Sequence, residues 1–182
     1  MVTNSEILEF QEEYNSLGPE DFSGIFNSII RIVRRFLDKS RPGILLGLVE
    51  LGYDRGNFVG GFHRLGTNEI YLNKSALRVM REENSDSEEK KELYKAYLFH
   101  LLLHEYIHSI NVVDERETRQ LTKNISLAIF GKRHPVGKLA IFGLGAFFPY
   151  TFRQERYSPV REEILNPDFI LLRHPDSEFT YI

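Results

Sequence analysis

At 182 residues, 42% apolar and 27% charged, the chain is long enough to bury a core and has the balance of an ordinary globular protein. A formal charge of −3 and a pI near 6.1 exclude a broad basic surface for nucleic acid. Cysteine is absent, which excludes a disulfide framework and leans towards a reducing compartment.

The N-terminal stretch is acidic and lacks the basic-then-apolar pattern of a secretory signal. The longest strongly apolar run, near Leu139 to Phe148, is too short to span a bilayer. The expectation is one cytoplasmic domain over residues 1–182, with no membrane or nucleic-acid partner and a less regular segment over 131–182.

In chain order, Ile7, Leu8, Phe10 and Tyr14 predict no more than a short helix before the stop at Gly18-Pro19. From Asp21 to about Ser40, apolar residues recur at three- and four-residue spacing, from Phe22 and Ile25 to Phe36 and Leu37, which predicts an amphipathic helix. Arg31, Arg34 and Arg35 fall on its outer side. After Arg41-Pro42-Gly43, the run Ile44 to Leu51 is short, apolar and bounded by glycines, as a central strand would be. Asn57 to Leu65 reads as a second strand whose Gly60-Gly61 marks a bulge or a close backbone approach. Glu69 to Asn73 alternates like an exposed third strand.

Residues 74–84 read as a helical turn. Ser85, three residues before Glu88, carries a capping signature for a long helix from about Ser87 to Ile110, apolar nearly all round in its second half. A further helix spans about Glu115 to Phe130, with Leu121, Ile125, Ala128 and Ile129 inward and Gly131 closing it. Beyond Gly131 the signals weaken: a loop-and-helix segment to Thr151, a short helical stretch near Pro159 to Leu165, and an extended tail from Asp168 to Ile182. The fold class is α+β, a small antiparallel or mixed sheet packed on the long helix and the helix that follows it.

The long helix carries the chemistry. His104, Glu105 and His108 spell H-E-x-x-H, and residues four apart on a helix stack one above the other. Both imidazoles therefore reach one metal ion, and Glu105 lies to the side, where it can handle the proton of a water on that metal. A third ligand is needed from the chain's return. Asn111 suits the left-handed turn that ends a helix, and Asp114 and Glu115 follow. Asp114 is the favoured third ligand. Its competing role is as N-cap of the next helix, with Glu117 three residues on, and under that reading Glu115 is freer to bind.

The stretch His104-Glu105-x-x-His108-x-x-Asn111-x-x-Asp114 resembles the zincin metallopeptidases. Its spacing is closest to the metzincin pattern H-E-x-x-H-x-x-G-x-x-[HD], with Asn111 in the glycine position. The resemblance covers about a dozen residues, and it lacks one element: Met1 and Met80 both precede the motif, so no methionine turn follows it. A gluzincin arrangement, with Glu115 or Glu117 on the following helix as third ligand, is the other form. The resemblance implies zinc, hydrolysis of a peptide or protein substrate, and an edge strand that holds the peptide. Glu69 to Asn73 matches that strand in order, so Ile70, Tyr71 and Leu72 are the expected substrate-binding residues. The alternatives are a non-catalytic metal-binding or sensing module and a zinc hydrolase of a non-peptide substrate.

Of the remaining candidates, His100 lies a turn before His104 and reads as a packed histidine. Tyr106 and Arg119 read as packing and helix-surface residues that could steady an oxyanion. His63, His134 and His174 have no motif around them. The tail, with His174, Asp176 and Glu178, reads as an added strand or as a segment lying in the groove.

Overall fold

Thr3 opens the first helix with a capping box: its hydroxyl oxygen accepts from Glu6 N, and the Glu6 carboxylate accepts from Thr3 N at 2.8 Å. The computed structural model describes residues 2–52, 59–83, 87–146, 167–170 and 172. Helix α1 (Asn4–Ser16) is longer than its sparse apolar positions suggest, because one of them, Tyr14, is fully buried. Tyr14 Oη donates to Glu92 at 2.7 Å, and buried Lys95 binds the Tyr14 and Leu17 carbonyls, fixing α1 to the long helix. Helix α2 (Phe22–Leu37) starts at the Asp21 cap and buries Ile25, Phe26, Ile29, Ile32 and Val33, as its spacing predicts.

Three strands follow, β1 (Leu45–Val49), β2 (Gly61–His63) and β3 (Glu69–Asn73). The next element, α3 (Lys74–Glu83), is a full helix rather than one turn, with Ala76, Leu77, Val79 and Met80 buried. Helix α4 (Glu88–Ser109) is capped by Ser87, whose hydroxyl oxygen accepts from Lys90 N. The cap expected at Ser85 lies outside the described residues. Helices α5 (Glu115–Phe130) and α6 (Pro135–Phe142) complete the helical layer, and β4 (Asp168–Ile170) returns to the sheet. The expected helical stretch at 159–165 and most of the tail, including His174, Asp176 and Glu178, lie outside the described residues.

The sheet is mixed and small, in the order β2-β3-β1-β4. β1 pairs parallel with β3, while β2 on β3 and β4 on β1 are antiparallel. This order corrects one expectation. β3 is an interior strand with both backbone edges taken, so Ile70, Tyr71 and Leu72 cannot offer an edge to a peptide. Ile70 and Leu72 are fully buried. Tyr71 lies on the opposite face, stacked on Phe62 at 5.2 Å and over Gly47, where a Cβ would come 2.7 Å from its ring. Period-two alternation assigns faces but not a place in the sheet.

The second half of α4 runs through the centre. Leu98, Phe99, Leu102, Leu103, Tyr106 and Ile107 are buried among α2, α5, α6 and the sheet. Among the described residues no helix is long and apolar enough to cross a membrane.

Candidate metal centre

The one-turn spacing of His104 and His108 on α4 brings their ring centroids to 4.8 Å with planes nearly perpendicular. The chain then has to turn back at once. Ile110 caps α4, and Asn111 takes the left-handed conformation at φ 69°, as its side chain allows and the sequence predicts. Asp114 opens α5, its Oδ1 accepting from Glu117 N at 2.7 Å. Glu115, the first residue of α5, therefore faces the histidines. Its Oε2 stands 3.4 Å from His104 Nε2 and 3.1 Å from His108 Nε2.

The group that could hold a metal ion is thus His104, His108 and Glu115, with ligand atoms all within 4.8 Å of one another. The favoured third position moves from Asp114 to Glu115. The reason is local: the Asp114 carboxylate is committed to the helix cap, and one residue along a helix start turns the side chain by about 100°. Glu117 is exposed and lies outside the group.

The surroundings fix what each group offers. His108 Nδ1 lies 2.8 Å from the Val112 carbonyl, which can only accept, so Nδ1 carries a hydrogen and Nε2 is the atom that faces Glu115. Thr118 Oγ1 donates to the same carbonyl at 3.0 Å. Burial holds the His104 pKa below its usual value, which favours its neutral ring. Burial works against ionisation of Glu115, but Arg119, whose Nε donates to Oε1 at 2.6 Å, and the two histidines outweigh it and hold the carboxyl below its ordinary range. Two imidazole Nε2 atoms and one carboxylate oxygen thus converge.

Glu105 is placed by the sheet. β2 packs against α4, with the His63 backbone amide near the Glu105 carboxylate. Burial pushes this carboxyl up to about 7, against the opposing pull of His108 and that N–H. Gly61 makes the approach possible: a Cβ there would come 2.8 Å from the Tyr71 carbonyl oxygen and 3.5 Å from Glu105 Cγ. Asn73 holds the strand's entry, its amide donating to the Gly52 and Val59 carbonyls, both at 2.8 Å. The Gly60-Gly61 pair was the sequence signal for this approach.

Two hollows meet at this group. One, of about 540 Å³, is bordered by β2 and by Val59, Leu65 and Val113, all more than half exposed. The other, of about 510 Å³, opens between α4, α5 and α6. Glu105, His104, Glu115 and Arg119 border both.

No protein-family model, curated protein or solved structure matches this chain.

The other candidates divide between the site and the core. Arg119 belongs to the site through Glu115. Tyr106 is packing, its ring against Phe26 and its hydroxyl oxygen accepting from Arg41 N at 3.1 Å. His134 caps α6, accepting from Val136 N. His63, left without a role in the sequence, lines the β2 hollow, its Nε2 donating to the Thr67 carbonyl at 3.0 Å. His100 lines the other hollow.

Proposed function

We propose that this chain is a zinc-dependent metallopeptidase of zincin type, with His104, His108 and Glu115 as metal ligands and Glu105 as the general base. The observation that carries the reading is the convergence of two imidazole Nε2 atoms and one carboxylate oxygen, with a buried glutamate beside them. When bound, zinc would acidify a water and polarise the carbonyl it faces. Glu105 takes the proton of the attacking water and passes it to the departing amine. The His63 N–H orients that carboxylate, and Arg119 fixes Glu115 so that Oε2 faces the histidines.

A peptide substrate suits the site better than a compact small molecule. β2 is an edge strand among the described residues, and it flanks an open hollow rimmed by Val59, Leu65 and Val113. An extended chain can rest its side chains on such a rim. The role expected of Ile70 to Leu72 accordingly passes to the segment around Gly61 to His63.

Metal analysis of the purified chain, alongside Glu105→Gln, tests the reading. The expected result is one zinc per chain in both proteins and a loss of about 10²- to 10⁴-fold in peptide hydrolysis in the variant. One tightly held zinc with no turnover in the parent protein would make it a metal-binding module. Full activity in zinc-loaded Glu105→Gln would overturn the mechanism.

A further inference from the structure

His100 is a polar group in the wrong place for a plain core. It stands one turn before His104 on α4, and its ring lines the hollow of about 510 Å³ beside the metal ligands. Leu101, Leu139, Ile141 and Leu144 supply much of the remaining wall. His100 Nδ1 is buried with no hydrogen-bond partner. Burial, with a contribution from His104, pushes the ring's pKa down to about 4, so it is neutral near pH 7. A neutral imidazole has one N–H and one lone pair, and buried orphan donors are rarer than orphan acceptors. The sealed Nδ1 therefore keeps the lone pair, and Nε2 carries the hydrogen.

We propose that this hollow receives a substrate side chain and that the His100 Nε2–H selects an uncharged, ring-sized side chain tipped by a hydroxyl, tyrosine above all. The proposal rests on the peptidase reading and adds its side-chain preference. Length favours it: four residues along a helix rise about 6 Å, which a tyrosine ring and hydroxyl cover and a serine or threonine does not. Charge favours it as well. A carboxylate or ammonium taken in among Leu101, Leu139, Ile141 and Leu144 loses its water. Phenylalanine fills the same space but leaves the imidazole N–H unmet, and an unmet donor is where discrimination between such pairs arises.

The test uses metal-free full-length protein and two probes, N-acetyl-tyrosinamide and N-acetyl-phenylalaninamide. Affinity is read from NMR titration, and the His100 ring signals are followed. The tyrosine probe should bind about 3- to 10-fold more tightly, the worth of one neutral hydrogen bond. His100→Phe should bring the ratio close to one. Ala140→Trp, which fills the hollow from α6 and leaves His100 in place, should abolish binding of both probes. Equal affinities in the parent protein, or an unchanged ratio in His100→Phe, would overturn the proposal. So would undiminished binding in Ala140→Trp. Peptide hydrolysis by zinc-loaded protein separates the two readings. A tyrosine preference in binding with no hydrolysis upholds the pocket and overturns the peptidase. Hydrolysis indifferent to tyrosine does the reverse.

Discussion

Glu115 Oε2 lies 3.1 Å from His108 Nε2, while Asp114, one residue earlier, points its carboxylate back along the α5 cap. The two adjacent acids therefore have different jobs. We expect Glu115→Ala to weaken zinc binding strongly, by 100-fold or about that, on the scale of losing one of three ligands. Asp114→Ala should leave most of the affinity and lower fold stability by about 0.5–2 kcal/mol, the worth of a cap. Zinc titration and urea unfolding of both variants check this. Near-native zinc affinity in Glu115→Ala would reverse the assignment.

Gly61→Ala tests the approach of β2 to α4. Its new methyl would meet the Tyr71 carbonyl at 2.8 Å, and backbone cannot swing aside as a flexible side chain can. A stability loss of about 1–3 kcal/mol is expected, as for other overpacked sites. Because Glu105 leans on the same strand, hydrolysis should fall further than zinc affinity does. Urea midpoints and zinc titration measured together decide it, and wild-type values in both would refute the close packing.

Asn111 holds φ 69° where the chain leaves α4. Asn111→Ala should lose about 1–2 kcal/mol, the cost of left-handed backbone for an ordinary side chain. Asn111→Gly should stay near the parent, since glycine adopts that conformation freely. Thermal unfolding of the pair gives the comparison, and equal melting of the two variants would remove the turn from the account.

His100 gives a pH dependence with a defined sign. Its folded pKa, about 4, lies below the ordinary 6.5, so the unfolded chain binds the proton first. The ring costs nothing above about pH 6.5, and stability falls as pH drops from there towards 4. A shift of that size corresponds to about 3 kcal/mol at the acid end. Other groups titrate in the same window, so the measurement is the difference between wild type and His100→Phe. A stability gap that does not change between pH 7 and 4.5 would show the ring is not buried neutral.

Much of the site was legible because helix geometry is local. The four-residue interval fixed the relation of His104 to His108, and Asn111 announced the turn that the structure places there. The choice between Asp114 and Glu115 was not legible in the same way. Both readings fit the spacing, and a single cap hydrogen bond to Glu117 N separates them. Strand order was further out of reach. Alternation in Glu69 to Asn73 could not say that β1 and β2 would occupy both its edges, because pairing joins distant segments. α3 was underestimated for a related reason: tertiary burial of Ala76, Leu77 and Met80 completes a helix that local preference only begins.

All three metal-directed atoms belong to one helix–turn–helix, α4 to α5, whereas the N–H that orients Glu105 comes from β2, well upstream. Under the proposed function, ion capture would depend on near neighbours in the chain, and proton handling on a more distant closure that contact order makes slower to form. A nascent chain with only its helical pair assembled would already retain an ion, and would be inert until the sheet docked. Binding by such a partly folded state would make the ion raise the melting temperature by less than its affinity for the finished protein implies.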